Sequence, residues 1–122
     1  DEGEFEIMTD GTEERQFLYA EDCCEALETV MNCYTDFKSD DPLHITSFHN
    51  NSIRQIADII QGQFQLIGRE VRIKPGIAKD SVQLDKRNEA DNYILGWWIP
   101  KTTIDNGIAK VFNDMKEKRG IK

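Results

Sequence analysis

The sequence predicts a small α+β domain, a mixed arrangement of short strands and about three helices. Its 122 residues suit one core and leave no room for a second full domain. Short β-prone segments alternate with longer stretches whose apolar residues recur at three- and four-residue steps. Each of the clearer helical stretches opens on a side chain suited to a helix start.

Taken in order, Phe5 to Met8 alternates as a short strand and is stopped by the Asp10-Gly11 turn. Gln16 to Ala20 reads as a second strand. From Ala20 the positions Cys23, Ala26, Leu27, Val30, Met31 and Tyr34 share one helical face, which predicts a helix to about Phe37. Glu21 and Asp22 suit the positive end of its dipole, Asp22 as an N-cap, and Lys38 to Pro42 ends it. Leu43 to Phe48 is the next strand, with His49-Asn50-Asn51 as a polar turn. Ser52 and Gln55 have capping-box spacing ahead of Ile53, Ile56, Ala57 and Ile60, predicting a helix from Ser52 to about Phe64. Glu70 to Lys74 reads as a strand broken at Pro75-Gly76, and Ile77 to Asn92 as irregular chain. Thr102 or Thr103 caps a last helix through Ile108, Val111, Phe112 and Met115.

Charge narrows the function classes. Fifteen basic against 23 acidic residues give a net charge of −8, a field that repels nucleic acid and anionic membrane surfaces. An anionic ligand must therefore be held by a local cluster of Arg or Lys. Cys23, Cys24 and Cys33 fall in one helical stretch, where Cys23 and Cys33 stand about 15 Å apart at ~1.5 Å per residue, too far for a bridge. They read as reduced thiols of a cytoplasmic protein, and no Cys/His spacing suits a metal. No apolar run reaches the roughly 18 residues of a membrane span, and no signal peptide is visible.

Three features point beyond the fold. Gly11 to Asp22, with Arg15, Phe17, Tyr19 and Asp22 in order, resembles the G-x-x-x-R-x-F-x-Y-V-x-D stretch of the extended short-chain dehydrogenases, the family of nucleotide-sugar epimerases and dehydratases. A strand, a turn and Ser52-Ile53 opening a helix follow at that family's intervals. Leu95-Gly96-Trp97-Trp98-Ile99-Pro100 resembles its L-G-W-x-P, and Thr103 to Ile108 the helix start after it. The likeness covers almost the whole chain and corresponds to the family's C-terminal substrate-binding part.

The resemblance implies an NAD(P)-dependent parent enzyme of the cytoplasm acting on a nucleotide-diphosphate sugar. This chain would be a single substrate-binding domain, residues 1–122, without the Rossmann domain and inactive alone. It carries neither the glycine-rich fingerprint nor, in its proper place, the catalytic Tyr-x-x-x-Lys, so no cofactor binding is expected of it. Tyr34 and Lys38 reproduce that spacing, but after the Arg-x-Phe element instead of before it. Tyr34 is read as core-facing and Lys38 as a dipole-favoured cation. The alternative is a free-standing, non-catalytic binding or assembly module of the same ancestry, its exposed face polar or covered by self-association.

For site residues, the resemblance puts Arg15 on the diphosphate, where a guanidinium fork matches phosphate oxygens. Phe17 either packs under the nucleotide base or fills the core. A second cation of the family would fall at Ile77, and Lys79 stands nearest as a substitute point charge, with Lys86 and Arg87 further off. The family's N-x-G-x-G is replaced by His44 to Phe48, where His44 is read as hydrogen-bonding locally. Trp97 is expected to pack between the last helix and the loop before it. The pairs Glu13/Glu14 and Asp40/Asp41 are adjacent in the chain and do not make a glycosidase dyad.

Overall fold

The computed structural model describes residues 3–37, 43–77 and 90–121. Lys38 to Pro42, with Asp40 and Asp41, and residues 78–89, with Lys79, Lys86 and Arg87, lie outside the described residues. The elements run β1 (Gly3–Glu6), β2 (Glu14–Gln16), α1 (Ala20–Cys33), β3 (Asn50–Ser52), α2 (Ile53–Leu66), β4 (Val71–Lys74) and α3 (Ile104–Lys118), with 3₁₀ turns at Tyr34–Asp36 and Tyr93–Gly96. This is the small mixed α+β architecture of three helices and short strands that the sequence predicts.

The strands form two separate pairs. β1 lies parallel to β4, with Gly3 opposite Val71 and Glu6 opposite Lys74, while β2 runs antiparallel to β3, Arg15 opposite Asn51. A parallel pair needs a long crossover, and α2 supplies part of it. Gln61 Nε2 donates to the Val71 carbonyl at 2.7 Å, which fastens α2 to β4. Just beyond the pair the backbones nearly touch: a Cβ on Gly76 would meet the carbonyl oxygens of Ile7 and Met8 at 2.8 Å.

The start of α2 is closed by four bonds. Ser52 Oγ accepts from the Gln55 amide at 3.1 Å while Gln55 Oε1 accepts from the Ser52 amide at 2.8 Å, completing the capping box. The preceding amides of Ile53 and Arg54 donate to the carbonyls of Glu13 and Gly11. Gly11, at φ +80°, allows the 11–13 loop to lie against Arg54. Thr103 caps α3, its Oγ1 accepting from the Asn106 amide at 3.2 Å.

Several sequence expectations are corrected. The second strand is Glu14–Gln16, not Gln16 to Ala20, because Arg15 pairs with Asn51 and the chain then leaves the ladder. Leu43 to Phe48 is not a strand: Phe48 has φ +59° and its amide turns back to Thr46 Oγ1, and the strand falls instead on Asn50–Ser52, where a polar turn is expected. The buried face of α1 carries Asp22 and Ala26, leaving Leu27, Met31 and Tyr34 exposed. Tyr34 is 71% exposed and not core-facing, because α1 stops at Cys33 and a 3₁₀ turn redirects it.

The core centres on Ala26, Ile94 and Trp98, with Leu18, Val30, Leu43, Ile45 and Phe48 packed against it. Tyr93 and Trp97, like Ile94 and Trp98, stand four residues apart, so the chain presents two faces. The inner pair is buried, and the outer pair joins Phe37 in an aromatic cluster, Trp97 lying 4.6 Å from Phe37 and 5.0 Å from Tyr93 between ring centroids. Trp97, expected between the last helix and the loop before it, meets Tyr93 in the segment before α3 and Phe37 beyond α1. Trp98 takes the core position.

Candidate functional site

The stretch from Arg15 to Asp22 runs from β2 into α1. α2 and α3 meet edge-to-face at Phe64 and Phe112, 5.0 Å between ring centroids. Residues of both helices, together with Phe17 to Ala20, line a cavity of about 730 Å³. Its sides are mostly hydrocarbon, including Ile56, Ile60, Ile108 and Val111. The polar groups on the lining come from Tyr19, Thr102 and Thr103 and from three cations, Arg69, Lys116 and Arg119.

Gly107 sits where α3 passes Tyr19 and Thr102; a Cβ there would lie 3.4 Å from the Tyr19 ring. Lys110 stands over the same ring, 5.3 Å from its centroid. Behind this wall Asp22, 5% exposed, turns its carboxylate to the chain just before α3. Asp22 Oδ2 accepts from the amides of Lys101 at 3.1 Å and Thr102 at 2.8 Å, and Oδ1 accepts from Thr102 Oγ1 at 3.2 Å. Asp22 is therefore not the N-cap of α1. Tyr19 holds that position without a side-chain bond, and Asp22 ties the start of α1 to the entry of α3.

The expected site residues separate. Phe17 lines the cavity. Arg15 is half-buried on β2, with Nη1 donating to the Glu14 carbonyl at 3.0 Å, and does not contribute to the lining. Lys79 lies outside the described residues. His44 makes its bond far along the chain, Nδ1 accepting from the Asp91 amide at 2.7 Å, instead of locally. Arg69, Lys116 and Arg119 were missed by motif reasoning. The i, i+3 spacing of Lys116 and Arg119 was visible, but nothing local connects either to Arg69.

Lys101 bonds Glu25 at 2.8 Å, and that hydrogen bond and charge raise its pKa above the ordinary value. Among the described residues no group of His, Cys, Asp and Glu is placed to hold a metal ion, and no helix is long and apolar enough to cross a membrane.

No family model matches the chain. The GDP-L-fucose synthase of Sinorhizobium fredii (strain NBRC 101917 / NGR234) is 30% identical over 116 residues, spanning 92% of this chain and 34% of that protein. The structure of RMD from Pseudomonas aeruginosa complexed with NADPH superposes with a TM-score of 0.75 at 14% identity, over 94% of this chain and 36% of that one. DdhaC superposes at 0.67 and 20% identity, over all of this chain and 35% of its own. The chain spans about a third of the length of these relatives. In sequence and in backbone alike the chain is similar to about a third of these proteins, in accord with the resemblance of its motifs to the C-terminal part of the extended short-chain dehydrogenases.

Proposed function

We propose that the chain is the nucleotide-sugar-facing lobe of an NAD(P)-dependent epimerase, dehydratase or reductase of the cytoplasm, and that it forms one domain, residues 1–122, without redox chemistry of its own. The observation that carries this reading is the meeting of the two motif stretches. Asp22, the last residue of the first, holds Thr102, two residues beyond the second, at 2.8 Å. The matches in sequence order are thus also a tertiary unit, and the relative named for GDP-L-fucose synthesis spans both.

Arg15 is assigned to the diphosphate, where a planar donor fork binds in a defined orientation. Phe17 and Lys79 are the remaining candidates for the base and for a second phosphate contact. Such binding would orient the sugar and exclude water while the reaction proceeds on the other lobe.

The cofactor is assigned to that other lobe, because the helix starts described do not suit a dinucleotide. A pyrophosphate cradle needs free amides at a helix N-terminus. In α2 those of Ile53, Arg54 and Gln55 are taken by Glu13, Gly11 and Ser52. The first turns of α1 and α3 carry Glu21 and Asp22, and Asp105, which oppose an anion. The free thiols of Cys23, Cys24 and Cys33 accord with a reducing compartment.

Calorimetric titration of the chain with GDP- and UDP-sugars tests the assignment. Weak saturable binding is expected, and Arg15→Ala should lower it by about tenfold or more, the worth of a charge-assisted contact. Unchanged affinity in Arg15→Ala removes the anchor, and tight binding of NADPH to this chain alone overturns the division of labour.

A further inference from the structure

The cavity beneath Phe17 does not have the chemistry of a sugar site. Sugar hydroxyls are bound by convergent donors and acceptors, and burying them without partners is costly. Here the walls from α2 and α3 are aliphatic and aromatic, Ile56, Ile60 and Phe64 facing Ile108, Val111 and Phe112. The hydroxyls of Thr102 and Thr103 are too few to satisfy a polyol, and each already bonds within the protein, to Asp22 and to the Asn106 amide.

A volume of about 730 Å³ is that of a small-molecule pocket, within the roughly 300–1,000 Å³ typical of such sites. Three cations share the lining, in a chain of net charge −8. Arg69 comes from the turn between α2 and β4, whereas Lys116 and Arg119 come from the end of α3. Placement at a helix C-terminus favours Lys116 and Arg119 at the end of α3 and Arg69 just past the end of α2, but it does not account for the apolar space that all three share. Neighbouring cations are engaged, Lys118 with Asp114 and Lys101 with Glu25. Among the described residues no ion pair occupies Arg69, Lys116 or Arg119.

We propose that this cavity binds a single-chain anionic amphiphile, its hydrocarbon lying between Ile60, Phe64, Val111 and Phe112 and its carboxylate or phosphate head held by Arg69, Lys116 and Arg119. Burial of the hydrocarbon supplies the affinity, and the cations select the head. The cavity shares Phe17 with the nucleotide-sugar reading, but that reading's phosphate anchor, Arg15, is not part of this lining, so the two sites are tested separately.

The test is titration of the full chain with decanoate, decyl phosphate and decanol, followed by calorimetry and by methyl NMR shifts. One saturable site is expected for both anions, with decanol at least tenfold weaker. The double variant Arg69→Ala/Arg119→Ala should lower the affinity of both anions about tenfold and leave decanol unchanged. Arg15→Ala should leave all three unchanged. Ile60→Trp, which fills the space, should abolish binding; should it fail to fold, the surface double variant still decides. A preference for only one anion assigns the head group within the proposal. Binding that does not saturate, equal affinity for decanol, or an unaffected double variant overturns it. So does a dimer in sedimentation that buries α2 and α3 and is not dissociated by decanoate.

Discussion

Asp22 accepts the amide hydrogens of Lys101 and Thr102 through one carboxylate oxygen, at 3.1 and 2.8 Å, although the two ends of the bond to Thr102 lie 80 positions apart. The contact is 5% exposed on the Asp22 side and fixes the residue before the N-cap of α3. Asp22→Ala should leave those amides without an acceptor and cost roughly 2–4 kcal/mol in urea unfolding. Asp22→Asn keeps one oxygen for them and should cost about 1 kcal/mol. Equal losses for the two would show that side-chain volume, not the acceptor, holds the joint.

Glycine is required at two turns for different reasons. At Gly76 an added Cβ meets two carbonyl oxygens at 2.8 Å, and neither backbone can retreat without breaking the β1/β4 pair. Gly76→Ala is expected to lose about 1–3 kcal/mol. Gly11→Ala meets both φ +80° and an Arg54 contact at 3.1 Å, and should lose about 1–3 kcal/mol. Hydrogen exchange separates the two: Gly11→Ala should expose the first amides of α2, and Gly76→Ala those of β1 and β4.

The two tryptophans should differ sharply. Trp98 is 4% exposed against Ala26 and Ile94, so Trp98→Ala should destabilise by roughly 3–5 kcal/mol. Trp97 is half-buried between Phe37 and Tyr93, and its replacement should cost about 1–2 kcal/mol, chiefly the lost ring contacts. Iodide quenching of single-Trp variants checks the assignment directly, with the emission of Trp97 quenched and that of Trp98 protected.

The Lys101–Glu25 pair predicts a pH window. The Glu25 hydrogen bond and charge raise the Lys101 pKa above its ordinary 10.5, so the stabilisation is fully present below that value and is lost as pH rises through the folded one. Lys101→Met should therefore show the same stability difference from wild type between about pH 6 and about pH 9, narrowing only in stronger alkali. Because the ammonium is exposed, added salt should also shrink the difference. A slope near neutral pH would assign the effect to another group.

The signals contained within a few residues were legible in the chain itself. Ser52 and Gln55 announce the start of α2, Thr103 that of α3, and the run from Glu70 to Lys74 holds a strand, because each rests on bonds or periodicity spanning at most a few positions. The order of Arg15, Phe17, Tyr19 and Asp22 likewise pointed to the family that the relatives bear out. Tertiary structure alone decided where those side chains go. It turned Asp22 inward to amides of a distant loop, buried Trp98 in place of Trp97, moved the third strand from Leu43–Phe48 to Asn50–Ser52, and placed Arg69 on one cavity with Lys116 and Arg119. In each case several local arrangements were sterically open, and the choice fell to partners remote in sequence whose hydrogen bonds and buried surface outweigh local preference.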